Sequence, residues 1–127
     1  MLELYTLINS KIESFINAFV DHYPTDQEGA AKIYPYAEIN FPNSIPNNSF
    51  SDNDSLTIDI WDNKDTDIRD IEGLTDMIHK AVNKTQYNDS VMNVSIYRDN
   101  PYRLKIPDPE IKIQRRQLRY RVKVYYK

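Results

Sequence analysis

The chain has no cysteine and only two glycines and two histidines among its 127 residues. Without cysteine there is no disulfide, no thiolate nucleophile and no Cys-containing zinc site. With glycine only at positions 29 and 73, no phosphate-cradling loop, dinucleotide fingerprint or Gly-x-Ser-x-Gly elbow can be written. His22 and His79 stand far apart, without the HExxH spacing of a zinc site. No apolar run approaches the ~20 residues that span a bilayer. The segment Met1 to Tyr5 lacks the basic region and cleavage site of a secretory signal. These absences point to a soluble, cytoplasmic protein with no cofactor, no metal and no membrane partner, and away from an enzyme.

Carboxylates are plentiful between residues 59 and 70, where Asp59, Asp62, Asp65, Asp67 and Asp70 suggest a calcium loop. Counted from Asp65, however, Arg69 falls where an oxygen ligand is needed, and Asp70 replaces the glycine of the sharp turn. Turn formation and helix capping account better for these acids. Paired-carboxylate glycosidase chemistry lacks any supporting pocket signal.

The ten tyrosines suit a half-buried sheet and equally a protein interface, because an apolar ring carries a polar tip. The net charge of −3 conceals an asymmetry: residues 1–93 carry 6 basic and 16 acidic side chains, and residues 94–127 carry 10 basic and 3 acidic. Such a chain can use its two ends on different partners or on a copy of itself. Alternatively, acidic and basic strands neighbour each other inside one sheet.

Leu4, Leu7, Ile8, Ile12, Phe15, Ile16, Phe19 and Val20 recur at helical spacing, which predicts a helix over 2–21. A polar connector follows to residue 32. Ile33 to Phe41 reads as a strand, irregular or at an edge because Pro35 lies within it. Residues 42–55, with Pro42, Pro46 and many small polar side chains, read as a long loop. Leu56 to Trp61 alternates cleanly as a strand, and Ile68, Ile71, Leu74, Ile78 and Val82 mark a helix over 68–84, with Thr66 or Asp67 placed to cap it.

Val91 to Tyr97 makes a third strand, residues 100–110 a proline-rich loop, and Gln117 to Lys127 a last strand. The last strand turns Leu118, Tyr120, Val122, Val124 and Tyr126 inward and Arg119, Arg121, Lys123 and Lys127 outward. Ile111 and Ile113 have the opposite phase, which calls for a bulge near Arg115 and Arg116. The expected fold is α+β and a single domain over 1–127. It has the order α-β-β-α-β-β and a mainly antiparallel four-stranded sheet with two helices on one face.

Four features together resemble the tail-terminator, or tail-completion, proteins of long-tailed bacteriophages and prophages. They are the N-terminal amphipathic helix, the strand with Tyr34-Pro35-Tyr36, the segment Leu56 to Trp61 with Ile58-Asp59-Ile60-Trp61 before a helix, and the basic strand from Arg116 to Val122. The resemblance spans nearly the whole chain and departs from the family in the loops at 42–55 and 100–110. It implies a structural virion protein that forms a ring, typically a hexamer, at the head-proximal end of the tail tube. Such a ring stops tail polymerisation and provides the surface for head-tail joining.

The implied partners are other copies of the chain, the major tail tube protein and a head-completion or connector protein. DNA passes through the ring without specific recognition. The implied location is the host cytoplasm during assembly, then the virion tail. A head-tail connector of the neck shares this size and ring logic. The candidate contact residues between subunits are Asp59, Asp62, Asp65, Arg115, Arg116, Arg119, Arg121 and Lys123, with Asn47, Asn48, Phe50, Asp52 and Asp54 on a candidate docking loop. From another class comes a small nucleic-acid-binding module, since the basic strand interleaves cations with Tyr120, Tyr125 and Tyr126.

Overall fold

The computed structural model describes residues 2–21, 33–46, 51–63, 68–107, 109 and 112–127. Its elements are α1 (Leu2–Ile12), β1 (Asn17–Val20), β2 (Tyr36–Pro46), β3 (Ser51–Asp62), α2 (Arg69–Val82), β4 (Gln86–Asn88), β5 (Met92–Lys105) and β6 (Gln114–Tyr126). The strands form one curled, half-barrel sheet in the order β1-β2-β3-β6-β5-β4. Pairing is antiparallel except between β1 and β2, which run parallel. The chain is α+β, but the expected mainly antiparallel four-stranded sheet is wrong: the sheet is mixed and has six strands.

The first reason lies in residues 13–20. The helical spacing of Ile16, Phe19 and Val20 also fits a turn followed by a strand. The helix ends at Ile12, whose carbonyl accepts from Phe15 N at 3.0 Å and Ile16 N at 3.3 Å. Asn17 to Val20 then lies along Tyr36 to Ile39. Aromatic and β-branched side chains fit a pleated edge well, and the ladder satisfies their backbone. Asp21 closes the strand at φ 72°, a conformation Asp tolerates, and its N–H donates to Ile39 O at 2.8 Å.

The second reason is that both expected loops extend strands. Asn43 to Pro46 pairs with Asp52 to Ser55 despite its prolines and polarity, and Ser55 Oγ donates to Asn43 Oδ1 at 2.8 Å. Pro46 is tolerated because β1 covers β2 only as far as Ile39, leaving this stretch at an edge. One extra residue is absorbed between Asn40 and Asn43. Likewise Asn100 to Lys105 belongs to β5, where five steps from Arg98 to Arg103 match two steps of β6 from Tyr120 to Leu118.

The expected bulge near Arg115 and Arg116 does not occur. β6 pairs with β3 without interruption from Gln114 to Tyr125. Of the two residues that motivate the bulge, Ile113 is half-buried just before β6 and Ile111 lies outside the described residues, as do the candidate caps Thr66 and Asp67.

Both helices pack on one side of the sheet and on each other. Leu4, Ile8 and Ile12 of α1 and Ile71, Ile78 and Val82 of α2 are fully buried there. They cover Leu56, Ile58 and Ile60 of β3 and Leu118, Tyr120, Val122 and Val124 of β6, as their alternation predicts. The opposite side of the sheet has no described helix over it.

Candidate functional site

β6 is a central strand, so each residue's phase decides whether its cation meets the helices or the uncovered face, the one that no described helix covers. Arg116 shares the phase of Leu118 and is 2% exposed. Its Nε donates to Glu72 Oε1 on α2 at 2.5 Å, and Nη1 donates to Arg115 O at 3.1 Å. Glu72 also pairs with Arg103 of β5, which donates to Asp76 Oδ1 at 2.5 Å. Partial burial pushes the Glu72 carboxyl up, but the guanidinium groups of Arg116 and Arg103 outweigh it and hold it below its ordinary value. This cluster fastens α2 to the sheet, so Arg116 is not a surface residue that a neighbour can reach.

Arg115 points to the uncovered face. Its Nη2 donates to Asp59 Oδ1 at 3.0 Å, and the same oxygen accepts from Gln117 Nε2 at 3.0 Å. The guanidinium lies 4.8 Å from the centre of the Trp61 ring, and Tyr36 stacks on Trp61 at 5.0 Å and 15°. Asp59 is 5% exposed, whereas Asp62 is buried toward the helices, on the other face of β3. The two carboxylates therefore diverge and do not form one acidic surface. Asp65, the third residue of that expected surface, lies outside the described residues.

Further along β6, Arg119, Arg121 and Lys123 stand on the uncovered face, as expected. Arg121 Nε donates to Asp99 Oδ1 at 3.2 Å, and Lys123 Nζ sits 5.5 Å from the Tyr125 ring centre. Arg119 makes no ion pair with any described residue. The N–H of Asn100 holds the Asp99 carboxyl below its usual range, and Arg121 adds to this against partial burial. Asp99 carries no signal in the sequence, since it lies between the expected strand 91–97 and the expected loop 100–110, where β5 bulges.

Of the expected docking loop, Asn47, Asn48 and Phe50 lie outside the described residues. Asp52 is half-buried within β3. Asp54 is 2% exposed and neither carboxylate oxygen has a hydrogen-bond partner among the described residues. Burial raises its pKa and Asp52 adds to the rise. Ser44, opposite on β2, lowers it without reaching hydrogen-bond geometry.

His79, in the last turn of α2, places Nδ1 2.8 Å from the Tyr120 hydroxyl and stacks on Tyr102 at 4.7 Å. Burial, then the charges of Arg98 and Arg103, hold its pKa below the ordinary value. Burial raises that of Tyr120. The other histidine, His22, lies outside the described residues.

The sheet edges complete the surface. β1 covers β2 only from Tyr36 to Ile39, and β4 covers β5 only from Asn93 to Ser95. Beyond them, Asn43–Pro46 on one side and residues 99–105 on the other have no outer strand among the described residues. Comparison with known proteins returns no match, either to a family profile or to a curated protein.

Proposed function

We propose that this chain is a non-enzymatic assembly subunit that joins copies of itself edge to edge into a ring, in the manner of a phage tail terminator. The observation that carries this reading is the pair of unlike open edges at opposite ends of one sheet. The β2 edge, Asn43-Ser44-Ile45-Pro46, is neutral and contains a proline. The β5 edge carries Lys105, follows a wide bulge, and has Arg103 turned onto Glu72 and Asp76 of α2. A contact between two unlike edges is heterologous: each copy offers one and accepts the other, and the series closes into a ring when the rotation per copy allows. Exposed strand edges join in this way through main-chain hydrogen bonds. Prolines on both edges, Pro46 and Pro101, confine such pairing to a short register.

On this reading the ring caps the tail tube, contacts the tube protein on one side and a head-completion protein on the other, and resides in the virion tail after assembly in the host cytoplasm. The test is polymerisation of the major tail tube protein with and without this chain. Tubes that stop growing and carry the chain at one end support the reading. Tubes of unchanged length with no bound chain overturn it.

A further inference from the structure

The cations of the uncovered face are not evenly balanced. At one end, Arg115 is neutralised by Asp59, and Glu38 stands opposite Asp59 on β2. At the other end stand Arg119, Arg121 and Lys123, every second residue of β6. They rise over roughly 14 Å at ~3.4 Å per residue. Asp99 is the single carboxylate paired with them among the described residues, and Arg121, the cation it holds, keeps 67% of its side chain exposed.

Their cross-strand neighbours on β3 are Thr57, Ser55 and Asn53, which are short, neutral and able to hydrogen-bond. Tyr97 of β5 lies opposite Arg121 and is 46% exposed, and Tyr125 at the end of the row is 40% exposed. Arg121, Tyr97, Asn53 and Ser55 line a cavity of about 190 Å³ together with two carboxylate residues, Asp99 and the buried Asp54.

We infer that this half of the sheet face is a contact surface for a nucleic-acid phosphodiester chain. Cations in a row neutralise successive phosphates and release their counterions. Short hydroxyl and amide side chains hydrogen-bond phosphate oxygens, and exposed rings provide surfaces on which bases or sugars rest. Cations and short polar groups spread along a sheet face contact the phosphodiester backbone, and phosphate contacts carry no sequence information, so the contact is independent of sequence. A protein partner is a poorer fit, because the centre of this half-face is charged and the centre of a protein interface is depleted in charge. The inference concerns the face rather than the edges and does not depend on ring formation.

The test is fluorescence anisotropy of the full chain with labelled single-stranded and duplex DNA of ~30 nucleotides, from about 50 to about 200 mM salt. Three proteins are compared: wild type, Arg119→Gln, and the triple variant Arg119→Gln, Arg121→Gln, Lys123→Gln. Because Arg119 holds no ion pair with any described residue, its single substitution leaves the Arg121–Asp99 pair in place, and circular dichroism checks the fold.

The expected result is salt-dependent binding by the wild type, with a log–log slope that falls by ~0.7–0.9 in the single variant and by ~2–3 in the triple one. No binding by the wild type at the lowest salt, or an unchanged slope in a folded variant, overturns the inference. Polyglutamate of equal charge binding as tightly as DNA overturns the assignment to nucleic acid. A monomer that binds DNA leaves this inference standing without the ring, and a ring that ignores DNA removes only this inference.

Discussion

Arg116 Nε on β6 lies 2.5 Å from Glu72 Oε1 on α2, and the arginine is almost wholly buried while the glutamate keeps about a third of its side chain in solvent at 37%. The pair replaces part of the apolar contact that would otherwise hold α2 to the sheet. Glu72→Gln should destabilise the fold by about 2–3 kcal/mol, somewhat less than the loss for a fully buried pair, because it leaves a guanidinium without its counter-charge. Since the Glu72 pKa lies below its unfolded value, its stabilisation is complete above that value and is lost as pH falls through the folded one. Urea titrations of both proteins down the acid range check this: the variant should lose less stability than the wild type.

Asp54 has the opposite sign. Its carboxyl is buried without a hydrogen bond to any described residue and its pKa is raised by that burial. The contribution is favourable below the ordinary carboxylate value and is lost as pH rises through the folded pKa. Asp54→Asn should therefore stabilise the protein at neutral pH by about 1 kcal/mol, the low end of the cost of an unsatisfied buried group. The gain should vanish in acid. A neutral-pH loss on denaturant titration would show that the carboxylate has a partner in solution.

Gly73 occupies the middle of α2, and a Cβ built there meets nothing within 4 Å. No close packing explains the glycine. Gly73→Ala should raise stability by about 0.5–1 kcal/mol, measured as a rise in melting temperature of a few degrees. A fall in melting temperature would contradict the open space beside it.

His79 should make the fold sensitive to mild acid. Its folded pKa is depressed, so stability is level above the ordinary histidine value of about 6.5 and declines as pH falls through it, until the folded imidazole also protonates. His79→Phe keeps the stack on Tyr102 but leaves the Tyr120 hydroxyl without its partner. It should cost about 1–3 kcal/mol at neutral pH and flatten this part of the profile. Guanidinium titrations at about pH 7.5 and pH 5 compare the two proteins on both sides of the histidine transition. A histidine-dependent decline that survives in the variant would place the titrating group elsewhere.

The core was legible where one physical period acted alone. The alternation of Leu56, Ile58 and Ile60 reports a strand with one buried face, and the helical recurrence of Ile71, Ile78 and Val82 reports the helix above it. Residues 13–20 misled because turn-plus-strand and helix bury the same Ile16, and only the nearby β2 edge decides between them. The polar arms at 43–46 and 52–55 carry no apolar period, since they are held by cross-strand hydrogen bonds that leave no trace in hydropathy.

The basic strand shows both outcomes. Alternation alone places Arg119, Arg121 and Lys123 on the open face. The bulge expected near Arg115 and Arg116 conceals the burial of Arg116, because the ladder runs straight there. Carrying the phase of Leu118 back by two residues points Arg116 inward, but its partner Glu72 lies 44 residues away and has no local signal.

The account rests on unlike sheet edges meeting between copies, and native mass spectrometry of the full chain over a range of concentrations tests this most directly. It predicts a closed species of fixed copy number, six by the resemblance to tail terminators, that builds up through odd as well as even intermediates. A chain that remains monomeric at every concentration, or stops at a two-fold dimer, would contradict it, because a dimer joins like surfaces and leaves the unlike edges unused.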